Sequence, residues 1–460
     1  MEVFLIRAAQ LVLCLSILVF LHEGGHFLAA KVFKIRVEKF ALFFDPWFSL
    51  FKWKPKKSDT TYTLGWLPLG GYVKIAGMVD ESMDTKQLEA PVQPWEFRAK
   101  PAWQRLIVML AGVFVNFVVA LLIYAVILFT WGETYVPIEN LSNGFKFNAQ
   151  AQELGFQDGD IPLRTDTKTF TRFDSNQSIS DVYRAISTSS ECTVLRNGKE
   201  VVISLPGEIN MLDMMKSEPP FMLLLSPSII DSVLVDSPAD QIGLQVGDQI
   251  VSFNEKEIST WNEFQDEISR LADALTDEAT QADSLRLRQV VLSVKHQDEA
   301  VDTFSVLLTP ELTLGTMWNT PLAQCETVTK SYSLLSAFPA GVAYGWNVLS
   351  GYVNDLKYLF TKEGAKSVGS FGAIGSLFPK AWDWQRFWEL TAFISLMLAF
   401  MNILPIPALD GGHAFFLLCE VVTRRKPSDK FMARAETIGM TILLLLMVYA
   451  IMNDFIRFVF

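Results

Sequence analysis

Histidine is scarce in this chain, with four copies, cysteine is equally scarce, and acidic residues outnumber basic ones. Each shortage removes a class of function. A net charge of -11 leaves no strongly basic face to neutralise phosphates, so nucleic acid is not a partner. Cys14, Cys192, Cys325 and Cys419 are far apart, and two lie in or beside apolar runs. That spacing offers neither a C-x-x-C pair nor a disulfide framework. The few histidines are not scattered evenly. His22, His26 and His413 fall within long apolar runs, where an idle polar group is costly. His296 lies in a polar, hairpin-like stretch and reads as a surface residue.

The apolar runs themselves set the class. Half of the chain is hydrophobic, concentrated towards both ends. A membrane helix needs about 20 mainly apolar residues. Four stretches meet this, at 1–31, 106–131, 387–420 and 437–460. The first could be mistaken for a secretory signal peptide, with Arg7 in its charged region and Ala29-Ala30 as a cleavage point. It also carries His22, Glu23 and His26, which a disposable segment would not need, so an uncleaved anchor is expected. Lys31, Lys34, Arg36 and Lys39 follow the first span, and Arg98, Lys100 and Arg105 precede the second. Arg424, Arg425, Lys426, Lys430 and Arg434 lie between the third and fourth. Basic loops face the cytoplasm. The loops 32–105 and 421–436 are therefore expected there, and the long insert between the second and third spans on the other side. Trp131, Trp384 and Trp388 stand at the outer interface, as aromatic belts do.

The insert holds a repeat. Ala151 to Ile161 and Ala239 to Ile250 share the pattern A-x-x-x-G-x-x-x-G-D, and each is followed by strand-like runs, a polar helix and a hairpin-like segment. Asn197-Gly198 is a type I′ turn signal in the first hairpin. Ser237-Pro238-Ala239 with Gly243-Leu244 and Gly247-Asp248 looks like a PDZ domain, a fold that adds a peptide strand to a sheet edge. Two PDZ-like domains are expected at 132–222 and 223–310. Pro162 blurs the strand after Asp160, and the acidic stretch Ala272 to Asp283 reads as a solvated insertion. A region with an amphipathic helix on or dipping into the outer membrane surface follows at 311–386. The expected fold is a polytopic α-helical membrane protein with four transmembrane helices. Two extracytoplasmic β-rich PDZ-like domains and a membrane-associated β-hairpin loop complete it.

Chemistry concentrates in two motifs. His22-Glu23-Gly24-Gly25-His26 puts two imidazoles four residues apart on one helix face, able to share an ion, with Glu23 close enough to act as general base on water beside it. Two histidines with a carboxylate form a common catalytic zinc shell. The third ligand is then His413 or a carboxylate, and Asp410 is the better candidate, in Asn402-Ile403-Leu404-Pro405-Ile406-Pro407-Ala408-Leu409-Asp410, deep in an apolar segment with no cation nearby. Alone it would be expensive there, and a metal removes that cost. The two prolines break the helix, which membranes tolerate where backbone lines a cavity or faces protein. Asp410 precedes the cytoplasmic Arg424 by roughly 20 Å of helix, and His22 and His26 shortly precede Lys31, so both motifs belong to one half of the bilayer. Asn402 is a candidate hydrogen-bond donor to a developing oxyanion. Gly112 and Asn116 are candidates for a close helix contact at the metal, and His413 for an outer partner of it. Gly70, Gly71, Tyr72 and Val73 form an unusually apolar loop able to hold a substrate in extended form.

Taken together, H-E-G-G-H in the first span, P-L-G-G-Y-V-K in the next loop, paired PDZ-like repeats and N-x-x-P-x-P-x-L-D-G-G-H in the third span resemble the site-2 protease family. These are intramembrane zinc metalloproteases, and the resemblance covers nearly the whole chain in order. It implies a bacterial inner-membrane enzyme with Zn2+ on His22, His26 and Asp410, Glu23 as base and Asn402 at the site. The implied partners are the lipid bilayer and single-span membrane substrates such as anti-sigma factors and remnant signal peptides. The PDZ pair would contact substrate ectodomains or peptide ends. Phe371-Gly372-Ala373-Ile374 departs from the family's Gly-Pro-Ile element, as does the acidic insertion. The competing expectation is a membrane-anchored peptide-binding protein with a structural metal, which would need a fourth protein ligand.

Overall fold

The computed structural model describes residues 2–68, 70–78, 91–141, 143–173, 176–217, 219–275, 281–317, 325–361, 364, 368–425 and 428–459. Leu69, Lys426 and residues 276–280 of the acidic stretch, named above, lie outside them. The chain divides into two compact units, Met1–Gly132 with Ser331–Phe460, and Glu133–Lys330.

The first unit is built from helices α1 (Glu2–Val32), α2 (Ala102–Thr130), α3 (Leu334–Asp355), α4 (Trp384–Ile403), α5 (Asp410–Thr423) and α6 (Asp429–Val459). Among the described residues, α1, α2, α4 and the stretch Arg434–Ile456 of α6 are long and apolar enough to cross a membrane. α2 lies at the centre and packs on α1, α3, α4 and α5. Its one charged residue, Arg105, is buried, and a buried cation needs a partner. It donates to Glu420 Oε1 on α5 at 2.5 Å and to the Lys100 carbonyl at 3.0 Å. This fastens α5 to α2.

One expectation changes here. The stretch 387–420, expected as one span broken at its prolines, forms two separate helices. α4 ends at Ile403, the chain turns through 404–409, and α5 begins at Asp410 itself. The helix of the 311–386 region, α3, runs antiparallel along α2, with Gly341 against Ala125 and Gly345 against Leu121 and Tyr124. Small residues on its inner face allow that close approach. On its far end, the Tyr352 ring meets Phe393 and Phe400 of α4 at 6.1 and 6.0 Å.

The loop between α1 and α2 is also more than a hairpin. Strands β1 (Val37–Leu42), β2 (Phe51–Trp53), β3 (Thr61–Leu64) and β4 (Tyr72–Ile75) form one sheet in the order β2-β3-β1-β4. β1 and β3 run parallel, while β4 pairs antiparallel with β1 and is an edge strand. Val37, Phe40, Val73 and Ile75 join Val108 and Met109 of α2 and Ala414 and Leu417 of α5 in one core, which seats the sheet on the helices. The far end of the sheet presents Trp47, Phe48, Leu50, Phe51 and Trp53, all exposed. An apolar cluster of that kind suits lipid better than water.

The second unit repeats one plan twice. A short helix capped by Asn148 (Ala149–Glu153) and one capped by Ser237 (Pro238–Gln241) each lead to a glycine-aspartate turn. The carboxylate then folds back identically, Asp160 Oδ2 accepting from the Gln157 N–H at 2.8 Å and Asp248 Oδ2 from the Gln245 N–H at 2.9 Å. The strand Ile161–Thr165 follows the first turn, and the ladder shifts register between Pro162 and Arg164, which accommodates the proline. The hairpins are Glu191–Arg196 with Lys199–Ser204, and Gln289–Lys295 with Val301–Leu307. Asn197 and Gly198 both have positive φ, as a type I′ turn requires.

The repeats differ in what answers the aspartate. Arg196 grips Asp160 with two donors, Nε to Oδ1 at 2.7 Å and Nη2 to Oδ2 at 2.6 Å. At the equivalent end of the second hairpin stands His296, with Nδ1 3.0 Å from Asp248 Oδ1 and Nε2 3.4 Å from Asp302 Oδ2. His296 is thus a surface residue, as expected, and a paired one. The hydrogen bond to Asp248, with Asp302 and Asp298 close by, raises its pKa above the ordinary histidine value. A pKa raised on folding stabilises the fold fully below the unfolded value, near 6.5, and the contribution is lost as pH climbs through the folded value. The stability difference between the wild type and His296→Gln is therefore expected to be largest just below about pH 6.5 and to shrink as pH rises above it. His296→Arg, copying the first repeat, should hold its stability across that range. Hydrogen exchange over 228–308 in the intact protein reads both outcomes.

Candidate metal centre

The i, i+4 spacing on α1 brings the two imidazoles together, His22 Nε2 lying 3.2 Å from His26 Nε2. Asp410 Oδ2, at the first position of α5, is 3.1 Å from His22 Nε2 and 3.3 Å from His26 Nε2. Zinc bonds of about 2.0–2.1 Å at tetrahedral angles hold their ligand atoms about 3.3 Å apart. The triangle has the dimensions of three corners of such a shell. Its electrostatics point the same way. His26 Nδ1 lies 2.8 Å from the Val108 carbonyl, which can only accept, so Nδ1 carries the hydrogen and Nε2 offers a lone pair. Asp410 Oδ2 is buried and has no hydrogen-bond donor. Lone pairs converging on one point need a cation between them.

α2 makes this convergence possible. A Cβ at Gly112 would stand 2.3 Å from His26 Nε2 and 2.9 Å from His22 Cε1, so only glycine lets the helix pass behind the rings. One turn on, the buried side-chain amide of Asn116 reaches His22 Nδ1 at 3.2 Å. Its Oδ1 is buried without a partner in the orientation with nitrogen towards the ring. Turning the amide over puts Oδ1 on an Nδ1–H and leaves His22 Nε2 free, matching His26. On the Asp410 side, Gly411 and Gly412 lie under the carbonyls of Leu404 and Ile406, where a Cβ would approach to 2.3 and 2.4 Å. The D-G-G sequence is what lets the 404–409 turn fold over the start of α5 and aim Asp410 at α1.

The trio opens on a cavity of about 90 Å³, room for water beside the metal position. Glu23, Asn402, Tyr72 and Val73 line it, as do His413 and Glu436. Glu23 and Val73 both line this cavity, so the candidate base lies beside β4. Tyr72 is fixed from behind, its hydroxyl 2.9 Å from Asp45 Oδ1 and 2.5 Å from Lys39 Nζ, with Lys39 paired to Asp45 at 2.6 Å. Gly70 and Gly71 are not in the lining. They pack on the Phe44 ring and on the Ala41 carbonyl and Val19, closing the sheet against α1. Glu436, on α6, carries no signal in the sequence, because it stands one residue before the apolar run of the fourth span.

Three side chains that could hold a metal ion, with a glutamate beside them and apolar helices around them, are the arrangement a membrane metallopeptidase needs. The comparisons agree. The model of peptidase family M50 matches residues 10–446, and the chain belongs to that family. It is a membrane zinc metalloendopeptidase of the site-2 type. It is similar to the regulator of sigma E protease of Haemophilus influenzae, at 26% identity over 99% of each chain. The metalloprotease MmpA of Caulobacter vibrioides is 25% identical, over 99% of this chain and 96% of its own. The regulator of sigma-E protease RseP of Salmonella typhimurium is 26% identical over 98% of both.

Outer hydrogen bonds to metal-bound histidines are worth about ten- to hundredfold in affinity. Asn116→Ala is expected to weaken zinc binding by that factor, and Gly112→Val to abolish it, as read by zinc content and chelator competition on the purified protein.

Proposed function

We propose that the protein cleaves single-span membrane proteins within the bilayer, with zinc held by His22, His26 and Asp410. The observation that carries this reading is the mutual 3.1–3.3 Å spacing of three ligand atoms, one of them an oxygen with no donor. Bound there, zinc supplies a Lewis acid for the peptide carbonyl and for the attacking water. Glu23 takes the proton from that water and passes it to the leaving amine nitrogen. Asn402 donates from its side-chain amide to the carbonyl oxygen as negative charge builds on it. A helical substrate hides its peptide bonds, so it must unwind before attack. β4 offers it a ladder: the edge from Tyr72 to Ile75 pairs with an extended segment, and Gly70 and Gly71 seat the start of that strand against Phe44, Ala41 and Val19. The shared cavity supports this, since Glu23, Tyr72, Val73 and Ile75 all line it.

The two repeats of the second unit act as PDZ-like domains on the extracytoplasmic side of a bacterial inner membrane. They bind substrate ends or turn away bulky ectodomains. The relatives named as regulators of sigma E favour an anti-sigma factor or a remnant signal peptide as substrate.

Glu23→Gln is expected to lower cleavage of a single-span substrate by about a thousandfold while zinc content stays near one per chain. Unchanged cleavage would remove the proteolytic role assigned to Glu23. Val73→Pro removes the N–H on the free edge and obstructs strand addition. It should lower kcat/KM by about fivefold at unchanged zinc content, one lost backbone hydrogen bond being of that size.

A further inference from the structure

Among the described residues, α6 reaches the metal cavity through one side chain, that of Glu436. Its position is held by close packing. Gly439, three residues further along the same face, lies against the 404–409 turn, where a Cβ would meet the Pro407 carbonyl oxygen at 2.0 Å. Glu436 Oε1 is 3.2 Å from His413 Nε2, and the two side chains are 13% and 19% exposed. Neither residue is needed for the metal, whose three ligands and base are complete without them. An ionisable group at the edge of an apolar span is costly and calls for a role. His413 answers one carboxylate oxygen. The other meets no donor among the described residues.

We propose that Glu436 is a specificity-determining residue, the subsite for a lysine or arginine of the substrate on the cytoplasmic flank of the cleaved bond. This rests on the peptidase reading above. Membrane spans carry their basic residues on the cytoplasmic side. The protein's own helices mark that level near the cavity: Lys31 ends α1, Arg424 follows α5, and Arg434 lies on α6 two residues before Glu436. A substrate span entering alongside these helices brings its own basic flank to the same depth. A long lysine or arginine side chain can bend its charged end to a carboxylate there while its stem stays in apolar surroundings. Segments whose flank is neutral or acidic lack that contact.

The test uses purified, zinc-loaded, full-length protein in liposomes and three single-span peptides that differ only in a flanking Lys, Gln or Glu. With the wild type, kcat/KM should fall in that order, mainly through KM. Glu436→Gln should reduce the Lys-to-Gln ratio about tenfold, the scale of one partly buried charge-assisted contact. Glu436→Lys should make the Glu peptide the better substrate. An equal loss on all three peptides would make Glu436 a structural clasp and overturn the proposal, as would unchanged ratios. The wild-type series needs no variant, so a misfolded Glu436 protein cannot mask the answer. If the zinc-loaded wild type cleaves none of the peptides, the peptidase reading and this proposal both fall. Cleavage without flank preference removes only the proposal.

Discussion

The membrane unit is organised around the cost of placing ionisable groups in an apolar bundle. His22, His26 and Asp410 meet within 3.3 Å of one another, and without a cation between them their facing lone pairs would repel. The surrounding sequence answers that one requirement. Gly112 gives the rings their space, while Val108 and Asn116 orient them from α2. Pro405 and Pro407 end α4 so that Asp410 can start α5 at the right point, and Arg105 with Glu420 ties α5 back to α2. An uninterrupted helix through 404–409 would carry Asp410 along a regular helical path instead of starting a new one facing α1. The break is therefore part of the site.

A second constraint comes from the substrate. A transmembrane helix satisfies its own backbone, which makes it stable in lipid and resistant to attack. A segment that unwinds there must find other donors and acceptors, and an open strand edge is the economical source. In the reading proposed above that edge is β4, whose Tyr72 and Val73 line the same cavity as Glu23. The Lys39–Asp45–Tyr72 network behind the strand works to the same end, because a mobile edge would misplace a peptide relative to the metal.

What the sequence made legible is whatever carried an energetic penalty in plain view. Histidines, a glutamate and an aspartate in apolar runs demand explanation, so His22, Glu23, His26 and Asp410 stood out. The long apolar stretches did the same for the four membrane helices. Glu436 did not stand out, because it reads as the last loop residue before an apolar run. The helix in fact begins at Asp429, which turns Glu436 into an inward-facing residue two turns along. The loop before α2 was expected as a hairpin, since short strands suggest their nearest neighbours as partners. The parallel pairing of β1 with β3 is set by packing on α2 and α5, which local pattern cannot reveal. His296 was hidden by its polar setting. Only the internal repeat, aligning Asp160 and Arg196 with Asp248, could have found its partner.

Charge balance ties the last of these groups to the first. With zinc held as proposed and the imidazoles neutral, two positive charges face three carboxylates, those of Asp410, Glu23 and Glu436. One negative charge is left over in a small cavity set among apolar helices, where an unbalanced charge is costly. In the free protein, water in the cavity and the hydrogen bond from His413 carry that cost. A substrate that unwinds into the site displaces the water, so the imbalance would grow just as the peptide bond reaches the metal. A basic side chain arriving with the substrate removes it. Neutral substrates must leave Glu436 to His413 alone, in a site they have just dehydrated. The same carboxylate is thus tolerable when the site is open and wet, and discriminating when it closes on a peptide.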